Sequence, residues 1–209
     1  MERDRALKAL REEAKGCTRC PLHLIGSQVV FGEGPPDAQA VLVGEQPGDQ
    51  EDQQDRPFVG PAGQLLDRAL MEAGIDRASV YVTNAVKHFK FVQRGKRRLH
   101  QKPDSGEIEA CRIWITRELE LTRPRLVVAM GATAAQSLLG KTVTISRERG
   151  RFRPWGEAQL LITAHPSFIL RIPDRAAKAQ EYERLVADLR VVSEAVQGRI
   201  AEPAQAALL

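Results

Sequence analysis

The sequence predicts an α/β chain, a three-layer α/β/α sandwich on a central, mostly parallel four-stranded sheet. Two observations carry this. Four short apolar runs (Ala38 to Gly44, Val80 to Thr83, Arg125 to Met130, Leu160 to Ala164) alternate with longer stretches of helical period. That is the pattern of strand–helix–strand units whose sheet is covered on both faces. Each run also stops at a glycine or a functional polar residue: Gly44-Glu45-Gln46-Pro47-Gly48, Asn84, Gly131-Ala132-Thr133 and His165-Pro166-Ser167. Parallel sheets bind ligands at the carboxyl ends of their strands, so a site is expected where these four ends meet.

The elements follow in order. Ala6, Leu7, Leu10 and Ala14 stand at helical spacing among charges, which predicts a helix over 3–15. Gly34-Pro35-Pro36-Asp37 is a turn that feeds the first strand. Helices are expected over 63–73, 106–121, 132–139 and 175–196. Between Asn84 and the helix at 106, residues 87–104 read as a flexible basic loop. Residues 141–157 read as an extended excursion with a small hairpin. One domain is expected over 1–197, with a disordered tail over 198–209.

The chain has 209 residues, 43% hydrophobic and 28% charged, the composition of an ordinary globular chain. No apolar run reaches the length of a bilayer span, and Met1-Glu2-Arg3-Asp4-Arg5 lacks a signal-peptide core. A cytoplasmic location without membrane attachment is therefore expected. The net charge of +4 permits an anionic partner. Its distribution says more: Lys87, Lys90, Arg94, Lys96, Arg97, Arg98 and Lys102 stand between residues 87 and 102 with no acid among them, and Phe89 and Phe91 interleave with the first of them. Cations with aromatics suit a phosphate chain and its bases. Lys96-Arg97-Arg98-Leu99-His100 ends that run with the one side chain that can be a neutral nucleophile near pH 7. Neither a Gly-x-Gly-x-x-Gly fingerprint nor a Walker loop occurs, so dinucleotide and nucleoside-triphosphate readings lose their main support.

The three cysteines are Cys17, Cys20 and Cys111. An odd number argues against a disulfide framework, and Cys17-Thr18-Arg19-Cys20 has metal-ligand spacing. Three thiols leave a fourth ligand to be found.

Taken in order, Gly44-Glu-Gln-Pro-Gly-Asp-Gln-Glu-Asp52, Arg56-Pro-Phe-Val-Gly-Pro-Ala-Gly63, Val82-Thr-Asn-Ala-Val-Lys-His88 and His165-Pro-Ser167 resemble the motifs of the uracil-DNA glycosylase superfamily. The resemblance runs from about residue 17 to residue 190 and is nearest to the iron–sulfur type (family 4). The 96–100 insertion and Gln46 point to the X-type branch, whose members excise uracil and stay bonded to the DNA through a loop histidine.

The resemblance implies a [4Fe–4S] cluster on Cys17, Cys20 and Cys111. His88 stands where the family has its remaining cysteine, and His23 is the competing candidate. It implies that Phe58 lies flat against a flipped uracil, that Asn84 reads the uracil edge, and that His165 donates to the developing charge on O2. Glu45 stabilises the sugar cation or positions the nucleophile, and Gly44 lets the backbone approach the sugar. His100 then captures C1′, with Glu45 or Gln46 on its other nitrogen. Arg98 is expected at the substrate, holding the loop shut against Asp49 or Asp52; Lys96, Arg97 and Ser167 are expected on DNA phosphates. The expected partner is uracil-containing DNA, single-stranded by preference, and the expected state a monomer. Two alternatives are an ordinary multiple-turnover family 4 glycosylase, with His100 only touching phosphate, and a non-catalytic iron–sulfur DNA-binding protein.

Overall fold

Five strands form the central sheet of the computed structural model, which describes residues 1–198. The chain opens with α1 (Glu2–Lys15), whose acids Glu2 and Asp4 sit in the first turn and Lys15 in the last, as the helix dipole favours. Then come β1 (Ala40–Gly44), α2 (Asp49–Gln54), α3 (Pro61–Glu72) and β2 (Tyr81–Asn84). A separate hairpin, β3 (Phe91–Arg94) and β4 (Arg97–His100), precedes α4 (Ser105–Thr122). After these come β5 (Leu126–Met130), α5 (Ala132–Leu139), α6 (Ile145–Glu148), β6 (Phe152–Trp155), β7 (Ala158–Thr163), α7 (Pro166–Arg171) and α8 (Arg175–Val196). The tail expected to be disordered lies, from residue 199 on, outside the described residues.

The sheet order is β2-β1-β5-β7-β6. Neighbours pair in parallel except β6, which runs antiparallel to β7. The four parallel strands are the four apolar runs. Alternation along them divides the core. Val41, Val43, Val127, Ala129, Leu160 and Ile162 face α1, α4 and α5. Leu42, Val82, Val128, Met130 and Leu161 face α3, α7 and α8. Both faces are therefore covered, and the α/β/α layering is as expected.

The strand number is five where the sequence predicted four. The extra strand, β6, lies in the 141–157 excursion and is half-exposed. It contains Pro154, which an edge strand tolerates, so it carries no apolar run to mark it. Residues 91–100 also differ from the flexible loop expected. Phe91 pairs with His100, and Gln93 with Arg98. Gly95, at φ 59°, takes the first turn position, where a two-residue II′-type hairpin needs a positive φ. The short helices α2 and α7, which directly follow the polar ends of β1 and β7, and α6, inside the 141–157 excursion, were not expected either.

Register fixes the site. Gly44 lies beside Asn84, and Met130 beside Thr163. The four polar strand ends therefore share one edge of the sheet, and the β3–β4 hairpin reaches over it.

Candidate active site

Gly44 ends β1 without a side chain, and the space is needed. A Cβ there would collide with the Asn84 amide oxygen, lie 2.6 Å from Phe58 Cζ and stand 3.3 Å from His165 Nε2. Glycine thus lets three side chains from three segments close over one point of backbone. Phe58 is buried and holds φ 57°, an uncommon conformation for an aromatic residue. A Cβ on Gly63, in α3, would run into its carbonyl, so that turn has room for no side chain. The Phe58 and His165 rings lie 6.2 Å apart, tilted by 30°. Asn84 is buried at the end of β2, and the backbone beyond it runs beside the end of β1: Ala85 N–H donates to Gly44 O and Val86 N–H to Glu45 O.

Phe58, Asn84 and His165 line a cavity of about 350 Å³ with Glu45, Gln46, Asp49, His100, Ser167, Leu170 and Arg171. Its size is that of a small-molecule site. Glu45 and His100 meet within it, with Glu45 Oε1 3.2 Å from His100 Nε2. The second carboxylate oxygen accepts from the Thr133 hydroxyl at 2.7 Å. Burial pushes the Glu45 pKa up, but the bonds from His100 and Thr133 outweigh it and hold the value at about 2. Glu45 is thus an anion at any working pH. Thr133 was not picked out as a site residue; its only signal in the sequence was its place in the Gly131-Ala132-Thr133 strand end.

His165 has the opposite character. Burial pushes its pKa down to about 4, against the pull of the Glu45 charge. Its Nδ1 accepts the Ser167 N–H at 3.1 Å and stands 2.8 Å from Ser167 Oγ, which also accepts from Arg171 Nη1 at 3.2 Å. With Nδ1 occupied as acceptor, the proton sits on Nε2. That Nε2 is buried and has no hydrogen-bond partner among the described residues. A neutral imidazole therefore presents an unspent N–H over Gly44. Ser167, expected on a DNA phosphate, lines the cavity and holds His165 Nδ1.

The hairpin delivers His100, and Arg98 secures the hairpin. Arg98 Nε pairs with Asp49 Oδ1, and Nη1 binds Asp52 Oδ2 at 2.5 Å and Ser27 Oγ at 3.1 Å. The guanidinium also lies 5.1 Å from the Phe91 ring and 5.5 Å from Phe89. These contacts make Arg98 a clasp that holds the hairpin against Asp49 and Asp52, as the charges led one to expect.

Gln46, expected beside the imidazole, is at the base of the hairpin. Its Nε2 donates to the main-chain oxygens of Lys90 (3.2 Å) and Gln101 (3.0 Å), and its Oε1 accepts the Lys90 N–H. Lys96 and Arg97 are not brought to the cavity. Lys96 is in the exposed turn, and Arg97 is exposed and one residue out of phase with Arg98 and so on the opposite face of β4.

The three cysteines gather between α1 and α4. Cys17 and Cys20 pack against the core cluster that contains Cys111. Cys111 Sγ accepts the Lys87 N–H at 3.2 Å, and Cys17 Sγ accepts the Trp114 indole N–H at 3.1 Å. Burial pushes the Cys111 thiol up to about 12, with Lys87 pulling against it and the Cys20 and Cys17 thiols adding to the rise. Among the described residues no three His, Cys, Asp or Glu side chains form a site for a single metal ion. His88 is buried, and its pKa is lowered by burial and by the neighbouring His23, against the pull of Asp52. His23 points its Nδ1 at Cys20 O, 2.7 Å away.

Residues 31–190 match the model of the uracil DNA glycosylase superfamily. The chain is 40% identical over 171 residues to the type-4 uracil-DNA glycosylase of Thermotoga maritima, which covers 81% of this chain and 85% of that one. It is 34% identical over 175 residues to the type-4 enzyme of Pyrobaculum aerophilum (80% and 86% covered) and 33% identical over 186 residues to that of Archaeoglobus fulgidus (85% and 88%). The matched stretch contains every strand end that lines the cavity, and with relatives at this identity along most of its length the chain belongs to the uracil-DNA glycosylase superfamily.

Proposed function

We propose that the chain excises uracil from DNA and that His100 then bonds to the sugar it leaves. The observation that carries this reading is the Glu45–His100 contact inside the cavity that also holds Asn84, Phe58 and the unspent His165 N–H. Excision needs the base out of its stack, at a cost of about a few kcal/mol. Phe58 offers the flat surface. The Asn84 amide can donate to uracil O4 and accept from N3–H; cytosine presents the reverse pattern.

As the glycosidic bond breaks, its electron pair leaves with the base and negative charge grows on O2. The His165 N–H meets that charge. Positive charge grows on C1′, and the Glu45 carboxylate faces it. A carboxyl with a pKa of about 2 is a poor base, so its contribution is electrostatic. An imidazole lone pair of His100 then forms the C1′–N bond, and the positive charge the ring acquires is held against Glu45. An N-linked imidazole is a poor leaving group, so the reaction ends after one turnover.

Three thiols in one place, two of them already accepting N–H bonds, suit an iron–sulfur cluster better than a single ion, because cluster thiolates bind separate irons. A [4Fe–4S] cluster would be held by Cys17, Cys20, Cys111 and His88, and its contribution would be structural, tying the end of α1 to α4 and to the turn after β2. The substrate we infer is single-stranded uracil-containing DNA, approached by a monomer.

Incubation with a uracil-containing oligonucleotide, followed by boiling in SDS and electrophoresis, is the deciding experiment. A shifted protein–DNA band is expected. Released uracil without that band would leave a multiple-turnover uracil-DNA glycosylase. Binding with neither product would leave a non-catalytic DNA-binding protein.

A further inference from the structure

Lys87 is fully buried, and no step above uses it. Its ammonium has three protons and three acceptors: Thr83 Oγ1 at 2.6 Å, the Asn84 main-chain oxygen at 2.8 Å and Glu118 Oε2 at 2.5 Å. The Phe31 ring lies 5.5 Å away. Glu118 is equally buried and takes the Thr83 and Tyr81 hydroxyls and the Gly32 N–H as well. Such a pair is weak evidence for stability, since apolar residues of similar volume often do as well. What it supplies is geometry. The Asn84 oxygen belongs to the residue whose side chain lines the base cavity. Lys87 is itself pinned, its N–H on Cys111 Sγ and its carbonyl under the Val30 N–H. A prop with a fixed foot therefore ends on the backbone of the base-reading residue.

We infer that Lys87 is a positioning residue for base recognition, its ammonium setting the pose of Asn84 from beneath the strand end. The inference rests on the reading of Asn84 given above. It predicts that the charge and reach of Lys87 matter to uracil binding and not only to folding.

The test titrates free uracil into the full-length protein and follows binding by NMR, alongside excision from uracil-containing DNA. Asn84→Ala is expected to abolish uracil binding. Lys87→Met, made together with Glu118→Gln so that no charge is left buried alone, is expected to stay folded and to bind uracil about tenfold more weakly, the size of one lost charged anchor. Thr83→Val, which removes one hydroxyl from the same network, is expected to weaken binding in the same direction, by less. A folded Lys87→Met/Glu118→Gln protein that binds uracil as the unaltered protein does would overturn the inference while leaving the pocket reading intact. Should that pair fail to fold, undiminished uracil binding by Thr83→Val overturns it instead. If Asn84→Ala keeps its uracil affinity, the pocket reading and this inference fall together.

Discussion

His165 Nε2 stands over the bare Cα of Gly44, so close that a Cβ there would lie 3.3 Å from it. In the proposed excision the oxygen of the bound base would share that space. Gly44→Ala should therefore misplace Asn84, Phe58 and His165 together. Single-turnover excision should slow by about a hundredfold, the usual cost of an ångström-scale misplacement, while unfolding temperature changes less.

His165 itself should matter through its N–H. Its folded pKa is depressed to about 4 from an ordinary 6.5, so it stays neutral through the physiological range. Excision should keep its rate from neutrality down to about pH 4 and then fall as Nδ1 takes a proton and loses the Ser167 N–H that orients the ring. His165→Ala should slow excision by about a hundred- to a thousandfold, as for other lost oxyanion donors. Equal pH–rate profiles for the two proteins would remove His165 from the mechanism.

His165 and Glu45 should make the fold acid-labile. Between pH 6.5 and 4 the unfolded chain binds a proton at His165 that the folded chain does not, so stability falls with falling pH. Glu45, depressed from 4.5 to about 2, stabilises the fold above pH 4.5, and that stabilisation is lost as pH falls towards 2. Thermal melts across this range should show a continuous decline. Glu45→Gln should flatten its lower part.

His100→Ser should lose the SDS-resistant band while still releasing uracil, and turnover should appear as water enters. A band of undiminished intensity would place the nucleophile elsewhere.

Arg98→Met should open the hairpin. Adduct formation should drop more than uracil release, because His100 loses its position while Asn84, Phe58 and His165 keep theirs. The change strands Asp52, which is fully buried, so a loss of about 3 kcal/mol in stability is expected from denaturant unfolding.

The strands could be read from the sequence because each is a short apolar run ended by a polar residue, and period and punctuation are local properties. The ordered motifs likewise named the family before any geometry was known. Asp49 and Asp52 were named as partners for Arg98 from charge alone, whereas the aromatic faces of Phe89 and Phe91 beneath it were not foreseen.

Only the tertiary structure decided the rest. Lys96-Arg97-Arg98 looks uniform on paper, yet pairing in a hairpin turns Arg97 outward and Arg98 inward, because successive side chains of a strand face opposite ways. Gln46 was placed by the carbonyls of Lys90 and Gln101, and Glu45 by Thr133, 88 residues away. Lys87 found Glu118 across 31 residues. Such partners leave no periodic trace in the chain. Burial and sheet register bring them together, and those are fixed only when both faces of the sheet are covered at once.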